Sequence, residues 1–296
     1  MTWELTDDLD EFERVAVPYL LSDPVRQTVP LTVLASLRNA GLSRFGDDPP
    51  VFGWHRHPDG TVDGAALQTP PYPLLASVPP GSVASLIAML AAERDLPAAV
   101  NLDAVSEEPF LSAWSAATGG TGEARMRQRL FRLEALVPPD PAPLGAARIA
   151  GPADSELLVD WFDAFARESD AVGGRSDRAV AERLTHSGLT LWEAGGRPVA
   201  MAGTQVSVAG VVRLGPVYTP PAERRRGFGG AVTAAVSQAA LAAGATDVVL
   251  FTDLANPTSN ALYQRLGYRP VEDRVLLELT ADVTSAPRKS SDQLCE

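Results

Sequence analysis

Val217-Tyr-Thr-Pro-Pro-Ala-Glu-Arg-Arg-Arg-Gly-Phe-Gly-Gly230 punctuates the chain more sharply than any other segment. An apolar run, Val211 to Tyr218, meets a double proline, then three consecutive arginines, then three glycines within four positions. Ala231 to Ala243 follows, built almost wholly of strong helix formers. In order, this is a strand, a stop, a cationic turn and a helix start. A helix N-terminus offers unpaired backbone N–H groups and partial positive charge, which suit a phosphate. Glycines admit oxygens where a Cβ would intrude, and arginines add permanently charged bidentate donors. Arg224, Arg225, Arg226, Gly227, Phe228, Gly229 and Gly230 are therefore expected to hold a phosphate-bearing ligand. The backbone N–H groups of Arg226 through Gly230 are the stronger donors in this reading.

Three glycine-loop chemistries compete for this segment. A P-loop needs Gly-Lys-Ser/Thr, and the only lysine is Lys289. A dinucleotide fingerprint needs a third glycine where Val232 stands, and Asp247, at the right distance for its acid, would open a strand rather than close one. The third pattern, Arg/Gln-x-x-Gly-x-Gly/Ala, is met by Arg224, Gly227 and Gly229. Downstream, Val248-Val-Leu-Phe-Thr252 reads as a buried parallel strand. It ends at Asp253-Leu-Ala-Asn-Pro-Thr-Ser-Asn260, rich in N-cap residues, and Ala261 to Leu266 reads as a short helix closed by Gly267.

The Arg-x-x-Gly-x-Gly turn, followed by Asn-Pro-x-Ser-Asn and Leu-Tyr-x-x-Leu-Gly-Tyr268, resembles the GNAT superfamily of acyl-CoA-dependent N-acyltransferases over roughly Ala146 to Leu279. The resemblance implies an α/β (α+β) fold, a mixed central sheet flanked by helices. It implies acetyl-CoA as co-substrate, no metal, and transfer of an acetyl group by direct attack of an amine within a ternary complex. It places the coenzyme pyrophosphate on the Arg224-to-Gly230 turn and pantetheine on a splayed strand at Val217, Tyr218 and Thr219. Pro220 and Pro221, lacking N–H donors, would help that strand peel open. Asn256 matches the asparagine that bonds the pantetheine arm, and Ser259 contacts ligand or caps the helix. Tyr263 matches the tyrosine that protonates the departing thiolate. Glu168, Glu193 or a water relay would take the amine's proton. The rival reading is a non-catalytic acyl-CoA sensor or scaffold.

Around this segment the chain reads as β, two helices, three strands, helix, strand, helix and a final strand at Arg274 to Leu279. Ala147 to Ala150 opens the series, Asp154 is expected to cap a helix carrying Trp161, Phe162 and Phe165, and Asp177 to Thr185 is the second helix. The first half repeats the order: a hairpin over Val51–Trp54 and Thr61–Gln68, strand Leu74 to Val78, helix Val83 to Glu93, strand Ala98 to Leu102, helix Phe110 to Ala117, strand Arg127 to Leu136. Its counterpart of the arginine turn is Pro79-Pro-Gly-Ser82, and Ser115 stands where Tyr263 would. Two tandem GNAT-like domains are expected: a degenerate copy at 1–137, a Pro-rich linker at 138–145, a catalytic copy at 146–280 and a polar tail at 281–296. An unrelated α/β domain is the alternative for the first half.

The 296 residues carry 25 basic and 37 acidic side chains, a formal net charge of −12. That balance argues against broad nucleic-acid binding and is compatible with a cationic amine acceptor, a small molecule or a peptide. No apolar run reaches the roughly 18 residues that a membrane helix needs. The acidic N-terminus lacks a signal-peptide pattern, and the single cysteine, Cys295, can form no internal disulfide. A cytoplasmic enzyme is expected, without membrane partners and with its oligomeric state open. His55, His57 and His186 supply no zinc pattern, and the first two read as exposed polar residues beside a turn at Pro58-Asp-Gly60.

Overall fold

The computed structural model describes residues 2–93, 96–169 and 175–281. Apart from Ala281, the expected tail, with Lys289 and Cys295, lies outside them. From the N-terminus run β1 (Thr2–Thr6), α1 (Leu9–Leu20), α2 (Thr28–Ala40), β2 (Val51–Arg56), β3 (Val62–Gln68), β4 (Leu74–Ser77), α3 (Val83–Glu93), β5 (Ala99–Asp103), α4 (Glu107–Thr118) and β6 (Gly122–Leu133). They are followed by β7 (Ala146–Ile149), α5 (Ser155–Ser169), α6 (Ser176–Thr185), β8 (Leu189–Ala194), β9 (Arg197–Thr204), β10 (Val211–Tyr218), α7 (Phe228–Ala242), β11 (Asp247–Asp253), α8 (Pro257–Arg265) and β12 (Tyr268–Leu279).

Two compact units form. One comprises Met1–Tyr19, Phe45–Met126 and Arg274–Glu296; the other comprises Leu20–Arg44 and Arg127–Asp273. The boundaries expected at 137 and 146 follow chain order, and these units do not. The reason is that β6 and β12 each contribute residues to both, while α2 belongs to the second unit. Residues 138–145 themselves form neither helix nor strand.

In the second unit the strand order is β6-β11-β10-β9-β8-β7, with the first part of β12 beside β6. Only β10 and β11 are parallel among the registers of this unit; the others are antiparallel. Alternation along β10 sends Val212 and Leu214 to one face, where α7 lays Ala231, Val232, Ala234 and Val236 against Val248 and Leu250. The small residues of α7 let its backbone approach the sheet closely. On the other face α5 and α6 bury Leu158, Phe162 and Val180 against Leu189, Leu191 and Met201. Asp154 does not cap α5 as expected. Its carboxylate instead accepts from Gly151 N–H at 2.8 Å and from both Arg148 Nη atoms, at 2.8 and 2.9 Å. That bidentate pairing holds its pKa below the usual carboxylate range.

In the first unit the order is β1-β2-β3-β4-β5, with the later part of β12 beside β5. Again one pair, β4 and β5, is parallel. Leu86, Ile87 and Leu90 of α3 and Phe110 and Trp114 of α4 bury Val100, Leu102, Val275 and Leu277. Ser115 is exposed, so it is not a buried counterpart of Tyr263; its neighbour Trp114 fills the core and donates to Thr280 O at 2.7 Å. His55 is also not exposed: β2 turns it inward, 1% accessible, against Trp3 and the Asp63 carboxylate.

The parallel pair of this unit is bridged by a single side chain. Hydrogen-bonded register between β4 and β5 ends at Leu75 and Asn101. Immediately beyond, the buried Arg274 guanidinium donates to Ala76 O on β4 at 3.3 Å. It also donates to Asn101 O at 3.2 Å, Asn101 Oδ1 at 2.7 Å and Asp103 Oδ1 at 3.0 Å on β5. The gap between the strands is thereby closed from inside. Replacing Arg274 by leucine leaves Asp103 without its ion-pair partner and should cost about 3 kcal/mol or more of stability. Lysine should restore little, because a point charge cannot bridge that set of acceptors. Urea unfolding checks both; an unchanged midpoint in Arg274→Leu would contradict the bridging role.

Candidate active site

The parallel pair of the second unit is left open. β10 and β11 exchange hydrogen bonds from Val211–Asp247 to Leu214–Leu250 and then separate. Beyond that point β10 follows β9, with Val217 opposite Ala202 and Tyr218 opposite Met201, while β11 follows β6 from Phe251–Leu130 to Asp253–Gln128. The register on β9 shifts between Leu214 and Val217, at Gly215 and Pro216. Pro216 has no N–H to give either neighbour. The opening therefore begins before Val217, earlier than the double proline that suggested it. Proline inside an apolar strand was the available signal.

The glycine turn follows from β10. Pro221–Glu223 make one tight 3-10 turn, and the N-cap of α7 is Gly227 at φ 85°. Arg225 also has positive φ, at 61°. The first turn of α7 contains no acid, so nothing among its own side chains cancels the partial charge of its N–H groups. A Cβ on Gly229 would lie 3.2 Å from Thr219 Oγ1, and one on Gly230 would lie 3.1 Å from Leu262 Cδ1. These glycines thus bring the strand end, the helix start and α8 into contact. Residues 138–145 of the same unit join them: Cβ atoms at Gly227 and Gly230 would meet Pro143 and Pro139 at 3.7 and 3.6 Å.

The three arginines have separate tasks. Arg226 pairs with Glu223 and lies 4.9 Å from the Phe228 ring centroid. Glu223 is buried, and Arg197 reaches its other oxygen at 2.7 Å. Arg224 donates from Nε to Thr219 O at 2.8 Å and pairs with Glu168. Glu168 also accepts from Tyr218 Oη at 3.2 Å, and Trp161 lies 6.0 Å from the Tyr218 ring. Burial, then the Glu168 charge, raises the Tyr218 pKa above the usual phenol value. Arg225 is exposed and has no partner among the described residues. Glu168 is thus held at the end of β10. Glu193, by contrast, is tied to Arg148 at 3.0 Å on β8, two strands from β10.

Asn256 is the N-cap of α8: its Oδ1 accepts from Ser259 N–H at 3.0 Å. That bond engages the side-chain oxygen and the Ser259 backbone, so capping is the structural task of both residues. Tyr263, on the buried face of α8, lies 6.4 Å from the Phe131 ring and 6.0 Å from the Tyr268 ring. It shares a core cluster with Leu214, the last residue of β10 paired with β11, and with Phe228 at the start of α7. Its hydroxyl makes no hydrogen bond to a described residue, and burial pushes it up to about 12. It stays protonated, a donor without an acceptor. Among the described residues no group of three or more His, Cys, Asp or Glu could hold a metal, and no helix is long and apolar enough to cross a membrane.

Residues 155–268 match the family model described as the Acetyltransferase (GNAT) family, so this segment is a GNAT acetyltransferase domain. No curated protein matches the chain significantly. Among solved structures, a GCN5-related N-acetyltransferase from Sphaerobacter thermophilus is 18% identical, with a TM-score of 0.57 and 84% of each chain covered. A Drosophila protein is 17% identical with a TM-score of 0.63, covering 94% of this chain and 98% of its own. A tandem GNAT protein from the clavulanic acid biosynthesis pathway is 14% identical with a TM-score of 0.53 over the same shares. Such likeness bears on the fold alone: a mixed sheet flanked by helices, as in the GNAT and tandem GNAT structures.

The division of labour among the arginines is testable. Arg225→Ala should weaken acetyl-CoA binding by about tenfold without lowering the melting temperature. Arg226→Ala should lower the melting temperature, since Glu223 loses a partner while buried. Titration calorimetry and thermal melts on both variants check this; equal effects on both readouts would contradict it.

Proposed function

We propose that this protein transfers an acetyl group from acetyl-CoA to an amine by direct attack in a ternary complex. The observation that carries the reading is the opening between β10 and β11 beside an acid-free helix N-terminus. In this reading the N–H groups of Phe228, Gly229 and Gly230 and the free Arg225 side chain take the pyrophosphate. Val217, Tyr218 and Thr219 present the strand edge along which pantetheine lies, and Asn256 and Ser259 border it. Backbone N–H groups of that edge polarise the thioester carbonyl. The amine nitrogen attacks the carbonyl carbon, the carbon–sulfur bond breaks, and Tyr263 delivers its proton to the departing thiolate. The amine's own proton leaves through Glu168 or a water relay.

The first unit takes no coenzyme in this proposal. Pro79-Pro-Gly-Ser82 replaces the arginine turn, and Arg274 fills the gap between β4 and β5. Calorimetry with acetyl-CoA and with NAD tests the coenzyme assignment, and binding of NAD alone would sink it. Thiol release over aminoglycosides, polyamines, amino acids and peptide N-termini tests turnover. Tight acetyl-CoA binding with release on no amine would favour the sensor reading.

Tyr263→Phe should lower kcat by about a hundredfold, leave acetyl-CoA affinity intact and leave stability nearly unchanged, since its hydroxyl makes no hydrogen bond to a described residue. The wild-type rate should show no loss between neutral pH and pH 10 from ionisation of this group, because its pKa is raised rather than lowered. A pH–rate profile and the variant's kcat check both; an undiminished kcat in Tyr263→Phe would remove it from the mechanism.

A further inference from the structure

Arg224 opens the pattern that suggested a phosphate turn, yet its side chain is engaged elsewhere. It reaches back along the chain, donating from Nε to Thr219 O at 2.8 Å, and across to α5, where Nη2 donates to Glu168 Oε2. Its guanidinium carbon lies 5.7 Å from the centroid of the Tyr218 ring. Tyr218 Oη in turn donates to Glu168 Oε1 at 3.2 Å. Both carboxylate oxygens are therefore held, one by Tyr218 and the other by Arg224. Arg224 is itself fixed to Thr219, the residue after Tyr218. The contacts close a ring, Tyr218–Glu168–Arg224–Thr219, at the place where β10 ends. None of them involves a group at the start of α7.

Stability does not account for this ring. Arg224 and Glu168 are 42% and 43% exposed, and an ion pair so open to water adds little. The packing that anchors α5 comes from Leu158 and Phe162 instead. What the ring supplies is order. A glutamate in the last turn of a helix would otherwise sample many rotamers, and here it is set in one orientation. A carboxylate offers about four lone-pair sites, so others remain after Tyr218 and Arg224 have bound. Arginine stays charged and takes no proton. Burial, then the Glu168 charge, raises the Tyr218 pKa and keeps that hydroxyl a donor. Both neighbours thus donate, and Glu168 is the member of the ring able to receive a proton.

We propose that Arg224 is a positioning residue of the amine side: it sets the Glu168 carboxylate at the end of β10 to receive the acceptor's proton, and it does not hold the coenzyme pyrophosphate. The inference rests on the acetyl-transfer reading and makes Glu168, rather than a water relay, the first stop for the proton. In that step an N–H bond of the acceptor ammonium breaks, its electron pair stays on nitrogen, and the proton passes to a free lone pair of Glu168. The neutral nitrogen then attacks the thioester carbonyl. Arg224 touches neither reactant and acts through Glu168.

The test uses the full chain, titration calorimetry with acetyl-CoA, and thiol release with spermidine, kanamycin, glycine and triglycine as acceptors. With the amine turned over fastest, Arg224→Gln should lower kcat by about tenfold or more. Its acetyl-CoA affinity and melting temperature should stay nearly unchanged. Glu168→Gln should lose at least as much kcat. Combining the two substitutions should lose no more than Glu168→Gln alone, because a residue that acts through another then has nothing to act on. Arg224→Lys should recover part of kcat, since it restores the charge at Glu168 without the second bond to Thr219 O. Full additivity of the two losses, or an undiminished kcat in Arg224→Gln, overturns the proposal. So does a comparable loss of acetyl-CoA affinity in that variant, which would return Arg224 to the coenzyme. Thiol release on none of the amines overturns the transfer reading and this role with it, whereas turnover untouched by Arg224→Gln overturns the role alone.

Discussion

Two parallel strands of the second unit stop exchanging hydrogen bonds after Leu214 and Leu250, and the candidate site is built around that separation. Parallel strands buried on both faces ordinarily pair along their whole length, because unpaired backbone groups in the interior are expensive. Here each strand keeps its outer neighbour, β9 on one side and β6 on the other, so the separation costs only the inner bonds. Pro216 offers no N–H, which makes β10 the strand able to leave. The opening then exposes backbone edges that a ligand's amides can match. Beside it, Gly227 starts α7 with an uncancelled positive end, and Tyr263 places a protonated phenol in the same cluster as Leu214 and Phe228.

The first unit shows the same element order with the opposite outcome. Its parallel pair also parts after a short register, yet Arg274 ties Ala76 to Asn101 and Asp103 across the gap. One guanidinium with several acceptors does inside the fold what a bound ligand would otherwise do. In the proposed reading, this is a physical reason, beyond the loss of the arginine turn, for the first unit to take no coenzyme: the chain itself fills the gap between β4 and β5. In the second unit Arg213 also reaches a partner, Thr32 Oγ1 at 2.9 Å, while its Nη1 is buried with no acceptor among the described residues.

Strand β10, the glycine turn and the strand–helix pair after it were legible because Pro, Gly and Arg there act locally. Helix α3, Val83–Glu93, stood out through its uninterrupted run of helix formers. β1, α1 and α2 were not read, although they fill much of the first 40 residues. Pro18 lies inside α1 and Pro30 near the start of α2, where the local rule against proline obscures helices that packing sustains. The final strand starts at Tyr268 rather than Arg274, past a proline at 270, for a similar reason. Pairings among the arginines were beyond reach, since three identical neighbours differ only in what tertiary structure brings to them. Arg213 left a trace, a lone charge in a run otherwise fit for burial on both faces, and that trace carries meaning only once Thr32 is seen to accept from it.

A structure determined with acetyl-CoA bound tests the central claim most directly. The account predicts one coenzyme per chain, its pyrophosphate on the N–H groups at the start of α7, its pantetheine between β10 and β11, and its sulfur beside Tyr263, with Arg274 still bridging β4 and β5. A coenzyme lodged at Pro79-Pro-Gly-Ser82, or one bound away from the opening after Leu214, would contradict it.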